Sequence, residues 1–266
     1  MSRRFASLIA ICLAAATASA QLLPGTETPD TIAHDPEEYD MGIIIDLTPE
    51  ILDDMVADLT GSSMLGGKIK RLTDDDYRKV ADELGIEVAA MKAVVDIEAG
   101  AGHRGFAAPG QPLINFDLTM FRRFAAKRGI NLSKYAKSHA VVFRRPDARR
   151  YGSQQAAQHE RLKQARTIDN RAAIEGTFWG MFQIGGFNWA KCGASSIDDF
   201  VRRMSTSEHE QLELFARFLV SCDLVKHLKN HNWAAFARSY NGPSYASRGY
   251  HKKLARAYAK HKKSGN

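Results

Sequence analysis

The chain contains 266 residues, of which 44% are hydrophobic and 25% are charged. With only 20 Gly and 8 Pro, this composition excludes a collagen-like, low-complexity or largely disordered protein, and the length allows one sizeable core. The formal charge of +7 is unevenly distributed: residues 21–60 hold eleven acids and no Lys or Arg. Residues 61–266 hold 35 basic and 19 acidic side chains, a formal charge of +16. An acidic leading segment therefore precedes a basic domain.

The first twenty residues have the pattern of an export signal. Arg3 and Arg4 give a positive start, residues 5–16 are apolar, and residues 18–20 are the small residues Ala-Ser-Ala. The apolar run is shorter than the roughly 18 to 20 residues that a membrane-spanning helix needs. We therefore predict cleavage after Ala20, no stable membrane insertion afterwards, and action in the periplasm or outside the cell.

Residues 21–70 are predicted to form an acidic linker that contains one short helix. Pro, Thr, Asp and Glu dominate its first half, which has little to bury. Pro49 begins the helix, and Ile51, Met55 and Leu59 form a stripe at helical spacing. The acids of residues 21–60 either contact the basic domain of the same chain or form a solvated tether.

The cysteines leave two alternatives. In an oxidising compartment, Cys192 and Cys222 could form a disulfide that closes a loop of about 30 residues. They could equally be two buried thiols. Their spacing to His gives no zinc pattern, and the sequence predicts neither a metal nor a cofactor.

The basic domain is predicted to span residues 71–266. A capping box at Thr73 begins a helix that stops at Gly85, and a second helix runs from Val88 to Glu98. Turn residues at 109–112, between short apolar segments, indicate a small β-hairpin that reaches Asp117.

The remainder of the domain has mainly helical periodicity. Helices are predicted at 118–128, 154–175, 178–184, 197–204, 207–220, 223–228, 232–240 and 246–262. The sequence therefore predicts an α+β fold that is mainly α, with one small hairpin beside the helix that ends at Glu98.

Glu98 is the strongest candidate for chemistry. It stands on an apolar helix face at the C-terminal end, where burial and the helix dipole both disfavour a carboxylate, so a raised pKa is expected. A carboxylic acid that keeps its proton near neutral pH can act as a general acid. Periodicity alone is also compatible with an ordinary exposed glutamate at a helix end.

The sequence around Glu98 and two later segments support the catalytic interpretation. The three occur in the order Ile97-Glu98-Ala99-Gly100, Phe178-Trp179-Gly180-Met181-Phe182-Gln183-Ile184 and Ser239-Tyr240-Asn241-Gly242-Pro243. This order resembles goose-type lysozymes and soluble lytic transglycosylases, in which such segments converge on a saccharide cleft.

A closer resemblance covers about Leu72 to Lys260. It is to the N-acetylmuramidase domain of phage endolysins and secreted bacterial peptidoglycan hydrolases. Further matching segments are Pro112-Leu113-Ile114-Asn115-Phe116-Asp117, Tyr151-Gly152, Glu160-Arg161-Leu162, Trp179 to Asn188 and Asn232-Trp233-Ala234-Ala235-Phe236.

The resemblance implies a lysozyme-like fold and cleavage of the β-1,4 bond between N-acetylmuramic acid and N-acetylglucosamine, with Glu98 as the acid. Two positions depart from the family pattern: Ala99 follows the acid where Ser is usual, and Asp117 stands where Glu is common. A lytic transglycosylase that forms 1,6-anhydro products, and a non-catalytic peptidoglycan-binding factor, remain alternatives.

Glycosidic cleavage usually employs a second carboxylate. Asp117 at the hairpin edge is the candidate, with Asp96 as the fallback, and a site without a second protein carboxylate is the third possibility.

Substrate-binding roles follow from the resemblance for five more residues. Gln183, Tyr240 and Asn241 would bind N-acetyl groups and orient water or the acid. Trp179 and Phe182 would offer apolar faces to the sugar, although aromatic residues at this spacing are also typical of a core.

The predicted last helix is strongly basic. Its cluster consists of Lys252, Lys253, Arg256, Lys260, Lys262 and Lys263. Wall polymers carry carboxylates and phosphates, so a positive field would concentrate the protein on peptidoglycan glycan strands. The absence of a recognisable nucleic-acid motif, together with predicted export, argues against a nucleic-acid partner.

Overall fold

A computed structural model describes residues 69–99, 104–144, 155–242 and 245–265. The predicted export signal, nearly all of the acidic linker with its short helix, and the Tyr151-Gly152 motif lie outside the described residues. Within those ranges, no helix has the length and apolar character needed to cross a bilayer.

The described ranges are mainly helical, with two small antiparallel sheets. The helices are α1 (Asp74–Leu84), α2 (Val88–Glu98), α3 (Leu118–Lys127), α4 (Ala140–Phe143), α5 (Gln155–Ile168), α6 (Asn170–Glu175), α7 (Ile197–Met204), α8 (Glu208–Ser221), α9 (Val225–Lys229), α10 (Trp233–Asn241) and α11 (Tyr250–Lys263). Short 3-10 helices span Leu132–Tyr135 and Gly186–Asn188. The strands are β1 (Phe106–Ala108), β2 (Gln111–Pro112), β3 (Ile114–Phe116), β4 (Thr177–Trp179) and β5 (Ile184–Gly185). This architecture confirms the predicted mainly helical α+β class.

The sheets correct one part of the prediction. β1 and β2 form the expected hairpin, but β3 belongs to a second sheet with the order β3-β4-β5. The predicted helix at 178–184 is therefore wrong, because this segment forms a hairpin that pairs Asn115 with Phe178 and Phe178 with Gly185. Gly180 at φ +71° supplies the turn that a helix could not contain.

Helix α5 covers the second edge of β3 with side chains instead of another strand. Gln155 accepts from Ile114 N at 2.9 Å and donates to its carbonyl at 3.0 Å. Gln158 Oε1 accepts from Phe116 N at 3.1 Å. These amides satisfy backbone groups that an exposed edge would leave unpaired, so the sheet is fixed to the helical layer.

Helix α2 lies at the centre of the core, where Met91, Val94 and Val95 are fully buried. Helix α11 packs against it and contacts both ends: Tyr258 Oη donates to Glu87 at 3.0 Å, and His261 Nε2 lies 2.8 Å from Asp96 Oδ2. Because α2 is enclosed, its last residue, Glu98, is held within the protein rather than at an open helix end.

Candidate active site

Glu98 is the last residue of α2 and only 5% exposed. Its Oε1 accepts from Asn241 Nδ2 at 3.3 Å, whereas Oε2 is buried and has no hydrogen-bond partner among the described residues. Burial raises the pKa of Glu98 to about 8, despite the opposing effects of the Asn241 hydrogen bond and the positive charge of Lys253. The carboxyl group is therefore protonated near neutral pH.

Asn241 reaches Glu98 from the end of α10. The helix begins with Asn232, whose Oδ1 accepts from Ala235 N at 3.1 Å. At the other end, the Asn241 side chain is buried, and its Oδ1 has no hydrogen-bond partner among the described residues. When Glu98 is protonated, its Oε2 is a hydrogen-bond donor without an acceptor, and Asn241 Oδ1 is an acceptor without a donor. Together they offer a ligand one donor and one acceptor.

Tyr240, the residue before Asn241, packs into the core. It is 1% exposed, stacks on Phe236 with a centroid distance of 5.7 Å, and meets Phe215 edge-on at 5.9 Å. These aromatic contacts fix the last turn of α10, and thus the position of Asn241.

The faces of Trp179 and Phe182 were expected to bind sugar, but both rings are buried. The indole nitrogen of Trp179 donates to the carbonyl of Ile174 at 3.2 Å, and the side chain is 2% exposed. Phe182 is fully buried and stacks on Phe215 at a centroid distance of 4.1 Å. Both rings are core residues, because the β4-β5 hairpin turns them inward.

Gln183 occupies the turn between β4 and β5. Its φ of +47° is in the left-handed region, which is uncommon for a non-glycine residue. The side-chain Nε2 donates to the carbonyl of Gly180 at 2.8 Å, and the residue is half-buried. This geometry holds the amide against the turn.

Asp117 follows β3 and caps α3. Its Oδ1 accepts from Met120 N at 2.9 Å, and it makes no hydrogen bond or ion pair with Glu98. Asp96 is half-buried and pairs with His261. The structure thus brings Asn241 to Glu98 but gives Asp117 a contact that stabilises a helix start.

Two polar residues on α8, absent from the sequence-based candidates, organise the segment that follows Glu98. Glu208 is 1% exposed, and its carboxylate accepts from Gly105 N and Leu72 N, both at 3.1 Å. It also forms an ion pair with Arg71 at 3.0 Å. This buried carboxylate therefore ties the start of the domain to Gly105.

Gln211, one turn later, joins three backbone segments. Its Oε1 accepts from Met181 N at 2.9 Å, and its Nε2 donates to the carbonyls of Gly105 and Met204. A Cβ at Gly105 would lie 2.3 Å from Gln211 Oε1, and one at Gly180 would lie 2.7 Å from it, so both glycines permit this close approach. The sequence signal for these residues was their position on the apolar stripe of α8.

Lys253 is the charged residue that acts on Glu98 from α11. It is half-buried, and its Nζ lies 5.3 Å from the ring centroid of Tyr250. Burial lowers the pKa of Lys253, whereas the charge of Glu98 raises it. A cation here stabilises the carboxylate that remains after Glu98 gives up its proton.

Cys192 and Cys222 are both in the reduced form in this structure. Cys192 is buried, and its burial raises the pKa of the thiol, while Cys222 is half-buried. Among the described residues, no three His, Cys, Asp or Glu side chains are grouped as metal ligands would be.

Comparisons with known proteins identify the family to which the chain belongs. The sequence profile of the N-acetylmuramidase family matches residues 87–262, which is more than half of the chain. The matched range contains both Glu98 and Asn241. The chain belongs to the N-acetylmuramidase family. Family membership supports peptidoglycan hydrolysis, by a glycoside hydrolase, as the general activity.

A solved structure resembles this N-acetylmuramidase in fold. The crystal structure of a Burkholderia AP3 phage endolysin matches with a TM-score of 0.63 and 34% sequence identity, over 74% of each chain. A search of curated proteins finds no match.

Proposed function

We propose that this N-acetylmuramidase hydrolyses the β-1,4 bond between N-acetylmuramic acid and N-acetylglucosamine, with Glu98 as the general acid. The observation that carries the proposal is the buried Glu98–Asn241 pair, which leaves one unsatisfied oxygen on each side chain. Buried groups without partners cost free energy, so a site that retains them is suited to a ligand that pairs with both.

The proton transfer follows from the contacts of Glu98. Its Oε1 accepts the hydrogen bond from Asn241, so the proton resides on Oε2, which donates it to the glycosidic oxygen. As the bond breaks, negative charge develops on Glu98, where the Asn241 amide and the Lys253 charge stabilise it. Asn241 Oδ1 accepts a hydrogen bond from an N–H or O–H group of the sugar.

Water completes the hydrolysis, and Asp117 is the residue we propose to position it. Its Oδ1 is engaged at the start of α3, so Oδ2 is the oxygen left for water. Gln183 is the second proposed substrate contact, since its half-buried amide is held at the β4-β5 turn.

One observation favours a lytic transglycosylase as the second candidate. Glu98 has an amide and a cation as its partners, and Asp117 contacts a helix terminus instead. A single acid is compatible with attack by the 6-hydroxyl of the sugar itself. That reaction gives 1,6-anhydro products, each lighter by one water than the hydrolytic product.

Digestion of purified sacculi followed by mass spectrometry tests the proposal. We expect reducing muropeptides from the unaltered protein and a loss of about 100-fold or more in Glu98→Gln. Glu160→Gln is the matched control because Glu160 is exposed, and it should retain full activity. Mainly 1,6-anhydro products would establish the second candidate, and sacculus binding without any cleavage would leave only a binding factor.

We also propose that the protein acts outside the cytoplasm after removal of residues 1–20. The basis is the charged, apolar and small-residue pattern of that segment. Mass spectrometry of protein secreted by the native cell should find Gln21 at the N-terminus. An intact Met1 on the cell-associated protein would contradict export by cleavage.

A further inference from the structure

Four cations form a row along the solvent face of α11, which we call the basic stripe. They are Lys252, Arg256, Lys260 and Lys263. Their spacing of i, i+4, i+8 and i+11 places them on one side of the helix, over a length of about 16 Å. All four are exposed.

The opposite face of α11 carries the packing contacts. Tyr250 and Leu254 are buried there, and the same face supplies the contacts of Tyr258 and His261 with α2. The helix therefore faces the element that bears Glu98 on one side and solvent on the other.

Among the residues that the structure describes, no acidic side chain pairs with a member of the stripe. None of the four makes an ion pair or a side-chain hydrogen bond with another described residue, whereas neighbouring Lys262 pairs with Glu87. Helix α11 itself contains no acidic residue. Like charges at i, i+4 repel each other, so the stripe weakens the isolated helix instead of stabilising it.

The helix dipole explains only part of the pattern. Lys260 and Lys263 lie in the last turn, where a cation is favourable, but Lys252 is the third residue of α11, where the dipole disfavours a positive charge. The row extends along the whole helix although its cations repel each other and the helix dipole disfavours Lys252. Such a row fits an extended anionic partner.

We propose that the basic stripe binds the carboxylates of the wall peptides attached to the glycan strand, and so holds the polymer beside the cleavage site. This inference rests on the proposed function, because it takes the substrate polymer itself as the partner. The repeated carboxylates of such a polymer match a linear array of exposed cations, and α11 is packed on the helix that ends in Glu98.

Binding to sacculi tests the stripe in the full chain carrying Glu98→Gln, which leaves the polymer intact. The test variant reverses the four charges: K252E, R256E, K260E and K263E. The control variant reverses four exposed cations elsewhere, R122E, K134E, K137E and K163E. Both variants undergo the same change in net charge, so they differ only in where the charges lie.

At low ionic strength, the stripe variant should bind sacculi at least about tenfold more weakly than the Glu98→Gln chain with an unaltered stripe. The control variant should bind sacculi about as tightly as that chain. The difference should vanish near 1 M salt, where the Debye length is about 3 Å. If the charge-reversed stripe does not fold, the four Gln substitutions at the same positions serve in its place. Equal losses in the stripe and control variants would overturn the proposal.

Amidated sacculi identify the partner chemistry. When the peptide carboxyls of the sacculi are capped, the Glu98→Gln chain with an unaltered stripe should bind them only as weakly as the stripe variant does. Unchanged binding to capped sacculi would overturn the proposal, as would stripe-dependent binding to anionic phospholipid vesicles but not to sacculi. Because binding is measured in Glu98→Gln, failure of the glycan-cleavage assay counts against the proposed function alone.

Discussion

Glu98 Oε1 and Asn241 Nδ2 lie 3.3 Å apart, although 143 positions separate the two residues in the sequence. Each side chain stands at the C-terminal end of its helix, α2 for Glu98 and α10 for Asn241. The contact fixes which carboxyl oxygen carries the proton, since Oε1 accepts from the amide. The site's acid chemistry therefore depends on how these two helix ends meet.

The pH dependence of activity should follow the protonation of Glu98. Burial raises its pKa to about 8, so the acid form persists through neutral pH and is lost as the pH rises through about 8. We expect the rate of sacculus solubilisation to fall on the alkaline side near that value. A profile that already declines near pH 5, where an ordinary glutamate ionises, would contradict the assigned acid.

The same raised pKa predicts that stability falls as the pH rises. Between the ordinary glutamate pKa of 4.5 and about 8, the folded protein retains a proton that the unfolded chain releases. The free energy of unfolding should therefore decrease across this window, by up to about 1.4 kcal/mol per pH unit.

Glu98→Gln removes that titration and provides the comparison. Urea unfolding of both proteins from pH 5 to pH 9 should show the variant gaining stability relative to the unaltered protein as the pH rises. Contributions from other titrating groups cancel in the difference. Parallel stability curves would mean that Glu98 is ionised in the folded state.

Asn241→Leu tests the orienting amide. The hydrogen bond from Asn241 lowers the pKa of Glu98, so its removal should raise that pKa and move the alkaline limb of the activity profile to higher pH. The rate should also fall, by about tenfold or more, because the carboxyl is no longer oriented. A lower rate with an unmoved alkaline limb would point to a role only in substrate contact.

Lys253→Met should also move the alkaline limb of the activity profile to higher pH. The positive charge of Lys253 lowers the pKa of Glu98, so a neutral side chain of similar length removes that effect. Lys253→Arg keeps the charge and should leave the limb in place. If both variants behave alike, packing beside Tyr250, rather than charge, is what matters at this position.

Gln211→Ala should destabilise the fold strongly. It would leave buried Met181 N without its acceptor and would remove the donor to Gly105 and Met204, at a cost of roughly 3 kcal/mol or more. Gln164→Ala is the matched control: the side chain of this partly exposed residue donates to the exposed Glu160, and its loss should change the unfolding free energy by less than about 0.5 kcal/mol. Chemical denaturation measures both, and similar small losses would show that the Gln211 amide is dispensable.

The sequence by itself determined the parts of the fold that have local causes. The capping box of Thr73 and Asp76 is present at the start of α1, and Gly85 ends that helix in the left-handed conformation. Helix α7 has the bounds that periodicity predicts. The apolar helix face that ends at Glu98 likewise marked this residue as a candidate, although only the resemblance of the later segments supported a catalytic role. Caps and periodicity act over a few residues, so they can be read without the rest of the chain.

Tertiary structure decided what depends on distant partners. The segment around Trp179 and Phe182 has helix-like spacing, but it forms strands because β3, more than sixty residues earlier in the chain, supplies the backbone partners. The same pairing turns both rings into the core, where they contact other aromatic residues rather than a sugar. Asp117 similarly acquires the start of α3 as its hydrogen-bond partner. The pKa of Glu98 reaches about 8 chiefly because the folded protein encloses its carboxyl group, and the helix pattern around Glu98 could not specify which groups would enclose it.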